Sequence, residues 1–148
     1  MFTVMLTIHV VLAVFLIGPV AMIPMTAMRS IRHRDAAAVR GAARQTMVFG
    51  FGSILVFLFG FGVIGSKPDW FSFSSDLWLS VSAVAYIVAI VLVLAVLVPD
   101  LRRASAAIEA EPVDEGRLGS LRARVSAMAG LTSLLFLFIV VLMVARPF

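Results

Sequence analysis

The sequence predicts an all-α integral membrane protein, a four-helix transmembrane bundle with both termini outside. Three observations carry that prediction. Apolar residues fill 62% of the 148 positions, against roughly half in soluble domains, and the mean hydropathy is +1.12. They gather into runs of about 19 to 26 residues, enough to cross a ~30 Å hydrocarbon core as helix. The basic residues cluster between those runs, almost all on one side.

The first span covers 3–28. It lacks a basic leader and exceeds the roughly 7–15 residues of a signal-peptide core, so it is expected to be retained. At 1.5 Å per residue it is about 39 Å long, longer than the core it crosses. Pro19 and Pro24 each remove a backbone donor and predict a bend in its inner half. A polar stretch, 29–46, follows and is expected to be a cytoplasmic loop.

The second span is 47–65. An outer loop, 66–76, holds Lys67, Asp69, Trp70, Phe71 and Phe73, with Trp78 just after. Trp prefers the membrane interface, so this segment, with Trp70, Phe71, Phe73 and Trp78, is expected to form an outer aromatic belt. The third span, 77–98, is expected to stop at Pro99.

The second cytoplasmic loop, 99–124, divides in two. Leu101, Ala104 and Ile108 share a helical face up to Pro112, and Leu118, Leu121, Val125 and Met128 lead into the last span. Between them lies an acidic tongue of Glu109, Glu111, Asp114 and Glu115; pairing with the basic first loop would contribute little, and a solvated loop is expected over a docking surface. The fourth span is 125–145. Spans this long exclude barrel strands, which need about 9–11 alternating residues. The length suits one domain.

Charge sets the orientation. The first and third connections carry ten Arg, whereas the opposite side carries only Lys67 and Arg146. The positive-inside rule then puts both termini outside. The net charge of +4 is thereby explained by topology, and nucleic acid is not an expected partner. Arg29, Arg32, Arg34, Arg40 and Arg44 are expected to meet anionic lipids of the inner leaflet or a partner subunit.

No Asp, Glu, Lys or Arg lies deep inside a span, which argues against a proton-driven pump or ion-coupled transporter working alone. Cys is absent, which excludes thiolate chemistry and disulfides. No phosphate-binding glycine loop, nucleophilic triad or metalloprotease motif occurs. The chain is therefore expected not to be an enzyme.

One polar residue stands out within a span. His9 lies about 9 Å below the outer end of the first span, with Met5 one turn earlier on the same face. An imidazole with a thioether suits haem iron, and thioethers also suit copper(I). Tyr86 in the third span is expected near the same level. Its buried hydroxyl needs a partner, with His9, Ser82 and Thr132 as candidates. The alternatives for His9 are an interhelical hydrogen bond to Thr, Ser or Tyr, a haem b or copper ligand, or a lipid-headgroup contact. The pairs Gly50/Gly52 and Gly60/Gly62 in the second span, with Ser82, Ala85 and Ala89 in the third, mark close helix approach.

Several short motifs carry a resemblance. His9-Val-Val-Leu-Ala-Val with Gly18-Pro19, the pair Trp70 and Trp78, and the ending Val141-Leu-Met-Val-Ala-Arg-Pro147 resemble an uncharacterised bacterial family of four-helix predicted integral membrane proteins (domain of unknown function 2269). The same opening helix is distantly similar to copper-resistance D-type and protoporphyrinogen-oxidase-like haem membrane proteins. The first likeness implies a multi-pass protein of the bacterial plasma membrane. The second implies haem or copper at His9, where bis-His ligation would need a second copy. The expected function is an accessory or structural subunit of a larger, respiratory membrane complex, or a homo-oligomer. The alternatives are a haem- or copper-binding protein and a small transporter or channel component.

Overall fold

The computed structural model describes residues 1–66, 69 and 76–147. Four long helices make up nearly all of it: α1 (Phe2–Arg32), α2 (Ala36–Ser66), α3 (Leu77–Glu109) and α4 (Glu115–Ala145). At 1.5 Å per residue each runs about 46–50 Å and outlasts the ~30 Å core by half its thickness again. All four are long and apolar enough to cross a membrane. The all-α bundle is the expected fold.

The expected loops differ. Most of 29–46 and 99–124 is helical, and the actual connections are 33–35 and 110–114. The reason is an apolar stripe hidden among the arginines. Val39, Ala43 and Thr46 are buried at helical spacing, as are Leu101 and Ala104, while Arg40, Arg44, Arg102 and Arg103 point outward. Each second helix starts on a side-chain cap: Asp35 accepts from the Ala38 N–H and Asp114 from the Arg117 N–H, both at 3.0 Å. Such caps typically contribute about 1 kcal/mol. Arg34, at φ 56°, closes α1, with its N–H on Ile31 O and the Asp35 N–H on Ser30 O. That bond pattern takes a left-handed residue after the helix, usually Gly.

The two helical hairpins repeat a plan. In α1 a π-helical turn, Ala13–Ile17, precedes Gly18-Pro19; in α3 another, Val93–Leu97, precedes Val98-Pro99. The wider turn makes room for a ring that would clash with the carbonyl four residues back. Pro99 therefore does not stop the third helix. Helix α2 is interrupted by a turn at Ser53, and α4 runs unbroken.

The helices form a ring in which α1 touches α2 and α4, and α3 touches α2 and α4. That full ring exists only toward the arginine-rich end. Toward the end that carries the termini, backbone approach persists within the pairs α1–α2 and α3–α4. Among the described residues, Ile54–Ser66 and Leu77–Leu92 scarcely approach each other. The main core of Val20, Ile31, Val39, Ala43, Val93, Leu97, Leu101, Ala104 and Val125 fills the arginine-rich half. A smaller cluster of Trp78, Leu79 and Leu142, with Phe2 and Ile64 against it, bridges the terminal end. Only 6% of the apolar stretch of α1 is buried, against 44% for α3, so α1 is the peripheral helix.

Candidate functional site

Glycines bring α1 against α2 in the terminal half. A Cβ at Gly52 would lie 3.2 Å from the Leu16 side chain, one at Gly60 3.1 Å from His9 Cε1, and one at Gly62 3.5 Å from Met5 Sδ. At Gly52 and Gly60 a side chain would press on α1, while at Gly62 it would make ordinary contact. The approach sets the chemistry of His9, whose Nδ1 stands 2.8 Å from Val56 O. A carbonyl only accepts, so Nδ1 carries the proton and donates. In the neutral ring that leaves Nε2 with a free lone pair. Among the described residues Nε2 has no hydrogen-bond partner. The partner of His9 is thus a main-chain carbonyl rather than a Thr, Ser or Tyr side chain.

Met5 and His9 share a face of α1, yet their tips separate. Gly60 and Gly62 point about 160° apart around α2 at 3.6 residues per turn, so imidazole and thioether pass on opposite flanks. Tyr86 stands elsewhere too. Its hydroxyl is 2.9 Å from Ser53 Oγ, and Ser53 donates its one proton to Gly50 O at 2.7 Å. Tyr86 is therefore the donor in a buried relay that ends on the α2 backbone. None of the expected partners takes that role. Ser82 donates to Trp78 O and Thr132 to Met128 O and Ala129 O, each within its own helix. Phe57 stacks on Tyr86 with centroids 5.0 Å apart, and Phe61 meets Phe57 edge-on. His9 and Tyr86 thus bond different groups of α2, the Val56 carbonyl and the Ser53 hydroxyl. Among the described residues no group of three His, Cys, Asp or Glu could hold a metal ion.

Trp78 is buried under Arg146, whose guanidinium lies 5.7 Å from the ring centroid. Trp70, Phe71 and Phe73 lie outside the described residues. Arg29, Arg32, Arg34, Arg40 and Arg44 are all exposed. The acidic tongue does reach the basic stretch: Arg34 pairs with Glu115 and Arg40 with Glu109. All four side chains are more than half exposed, so these pairs contribute little.

The residue missed in the sequence is Asp100, which is 0% exposed. Arg103 Nη1 stands 2.9 Å from Oδ1, and Arg124 Nε of α4 stands 2.7 Å from Oδ2. The second contact is a charge pair without hydrogen-bond alignment, so Oδ2 accepts no hydrogen bond. The signal for Asp100 was the stripe Leu97, Leu101, Ala104, which continues past Pro99. Thr46 Oγ1 is buried with no hydrogen-bond partner among the described residues.

Residues 3–147 match the family model described as predicted integral membrane protein (DUF2269), and the chain belongs to that family. No curated protein and no solved structure matches it.

Proposed function

We propose that this member of the predicted integral membrane protein family is a non-catalytic subunit of a larger membrane complex, with a respiratory complex as first candidate. The outer half of α1 would be its docking element. The observation that carries this reading is the unused lone pair of His9 on a helix segment, Phe2–Leu12, that buries none of its own residues and whose backbone approaches chiefly α2. An acceptor in apolar surroundings gains most from a donor brought by a neighbour. In this reading the arginine-rich end faces the cytoplasm of a bacterial cell, both termini lie outside, and the basic residues meet anionic headgroups at about 1 kcal/mol per Arg. Photo-crosslinkers at the exposed Val10 and Phe15 should give one discrete protein adduct in native membranes, absent from the exposed Leu134 of α4. Adducts to lipid alone from all three positions would end this reading.

A second reading takes Nε2 as an axial ligand to haem b, or as a copper ligand, with the opposing ligand from a second copy. It is favoured by the tautomer that the Val56 carbonyl imposes. The purified protein should then show a Soret band or bind copper at one ion per two chains, and lose either in His9→Ala. Colourless, metal-free protein from cells supplied with both would overturn it.

A further inference from the structure

We propose that the groove between α1 and α4 at the arginine-rich end binds the phosphodiester headgroup of one anionic phospholipid, gripped between Arg32 and Arg122. This rests on the reading of the basic end as headgroup-facing and narrows it to one site. The groove encloses about 140 Å³, and Ile31 and Leu118, both buried, form its floor. Three guanidiniums, of Arg32, Arg34 and Arg122, line it against the single carboxylate of Glu115. Glu115 is taken by Arg34. Among the described residues neither Arg32 nor Arg122 has an ion-pair partner. Two unneutralised cations from different helices therefore face one apolar-floored space, the complement of a phosphodiester carried on acyl chains.

Depth agrees with charge. Arg32 lies four residues past Met28, the last apolar residue of its span, and Arg122 three before Val125. At 1.5 Å per residue both stand about 5–6 Å beyond the apolar boundary, within a headgroup layer of roughly 5–7 Å per leaflet. Gly119 lines the groove with them, and a Cβ there would meet nothing within 4 Å. The larger groove between α2 and α3, about 330 Å³, is a poorer anion site. Its Arg40 is taken by Glu109, and Arg102 Nη2 rests 3.0 Å from Met47 Sδ.

The test is native mass spectrometry of the purified full chain in detergent doped with phosphatidylglycerol or with zwitterionic phosphatidylcholine, with glycerol phosphate as a soluble competitor. One phosphatidylglycerol should remain bound at collision energies that strip phosphatidylcholine. Retention should fall about tenfold in Arg32→Gln plus Arg122→Gln. It should fall similarly in Gly119→Leu, which fills the groove without touching its charges and keeps helical circular dichroism. Arg40→Gln plus Arg44→Gln should leave this lipid in place while lowering the bulk preference for anionic vesicles. Equal loss in both arginine pairs, or none in Gly119→Leu, would overturn the site and leave the general reading standing. Anionic and zwitterionic lipid retained alike in every variant would overturn both. Displacement by glycerol phosphate would assign the groove to a soluble phosphate and overturn the lipid.

Discussion

In the arginine-rich half of the bundle, all four backbones meet through Ala27, Ala43, Ala104 and Ala129. Hydroxyls tie neighbouring helices together there: Ser105 donates to Ala36 O at 3.1 Å and Ser133 to Ala21 O at 3.2 Å. In the terminal half, two helix pairs stand apart and are bridged by large side chains, Phe57 on Tyr86 and Trp78 among Phe2, Ile64 and Leu142. The small-residue half has little room to rearrange. The aromatic-bridged half is joined by large side chains, and it contains His9, whose Nε2 has no hydrogen-bond partner among the described residues. The interruptions at Ala13–Ile17, Ser53 and Val93–Leu97 lie near the boundary between the halves. The difference divides the bundle into a clamped half and a more open one.

The largest expected effect lies in the clamped half. Arg124→Gln should destabilise the protein by about 2–3 kcal/mol in micellar unfolding, because it strips one counter-charge from a fully buried carboxylate. That is less than the ~3–5 kcal/mol for a wholly buried pair, since the guanidinium is half in solvent. Asp100→Asn should cost under ~1 kcal/mol, and the double variant should recover most of the loss. Equal costs for both single variants would mean that the pair acts as a surface contact.

Next comes the α1–α2 contact. A methyl at Gly60 would press on an imidazole tethered to Val56 O, so Gly60→Ala should cost about 1 kcal/mol. In a His9→Ala background the same change should stabilise by up to about 1 kcal/mol, the helix-propensity difference. An unchanged sign would show that His9 does not set the approach of α1.

Smaller effects separate the halves more finely. Tyr86→Phe removes a bond from a relay whose Ser53–Gly50 link survives, and should cost about 0.6 kcal/mol. Thr46→Val should go the other way, gaining roughly 0.5–1 kcal/mol by replacing a buried hydroxyl without a partner. Destabilisation by Thr46→Val would reveal a bond made within the bilayer.

The four spans were legible because length and hydropathy alone decide them. The polar half of α2 was not, because arginines on one face concealed Val39 and Ala43 on the other, and the helical face of Leu101 and Ala104 was read only as part of a loop. Pro99 read as a terminus because the π-helical turn that accommodates it has no composition of its own. With the helix ended there, Asp100 fell into a supposed loop. His9 was visible as a polar residue in an apolar run. Its partner was not, since a main-chain carbonyl leaves no trace in the side-chain sequence. Ser53 as the acceptor for Tyr86 depended on the relative depth of α2 and α3, which only tertiary packing fixes.

The chain has no Cys, so spin labels can be placed cleanly for a bilayer distance measurement by double electron–electron resonance. One label pair would sit at Leu58 and Val84, exposed on α2 and α3 in the terminal half, and another at Arg44 and Arg102 near the arginine-rich end. The division into a clamped and an open half predicts a narrow distribution for Arg44–Arg102 and a clearly broader one for Leu58–Val84. Distributions of equal width at both ends would contradict it.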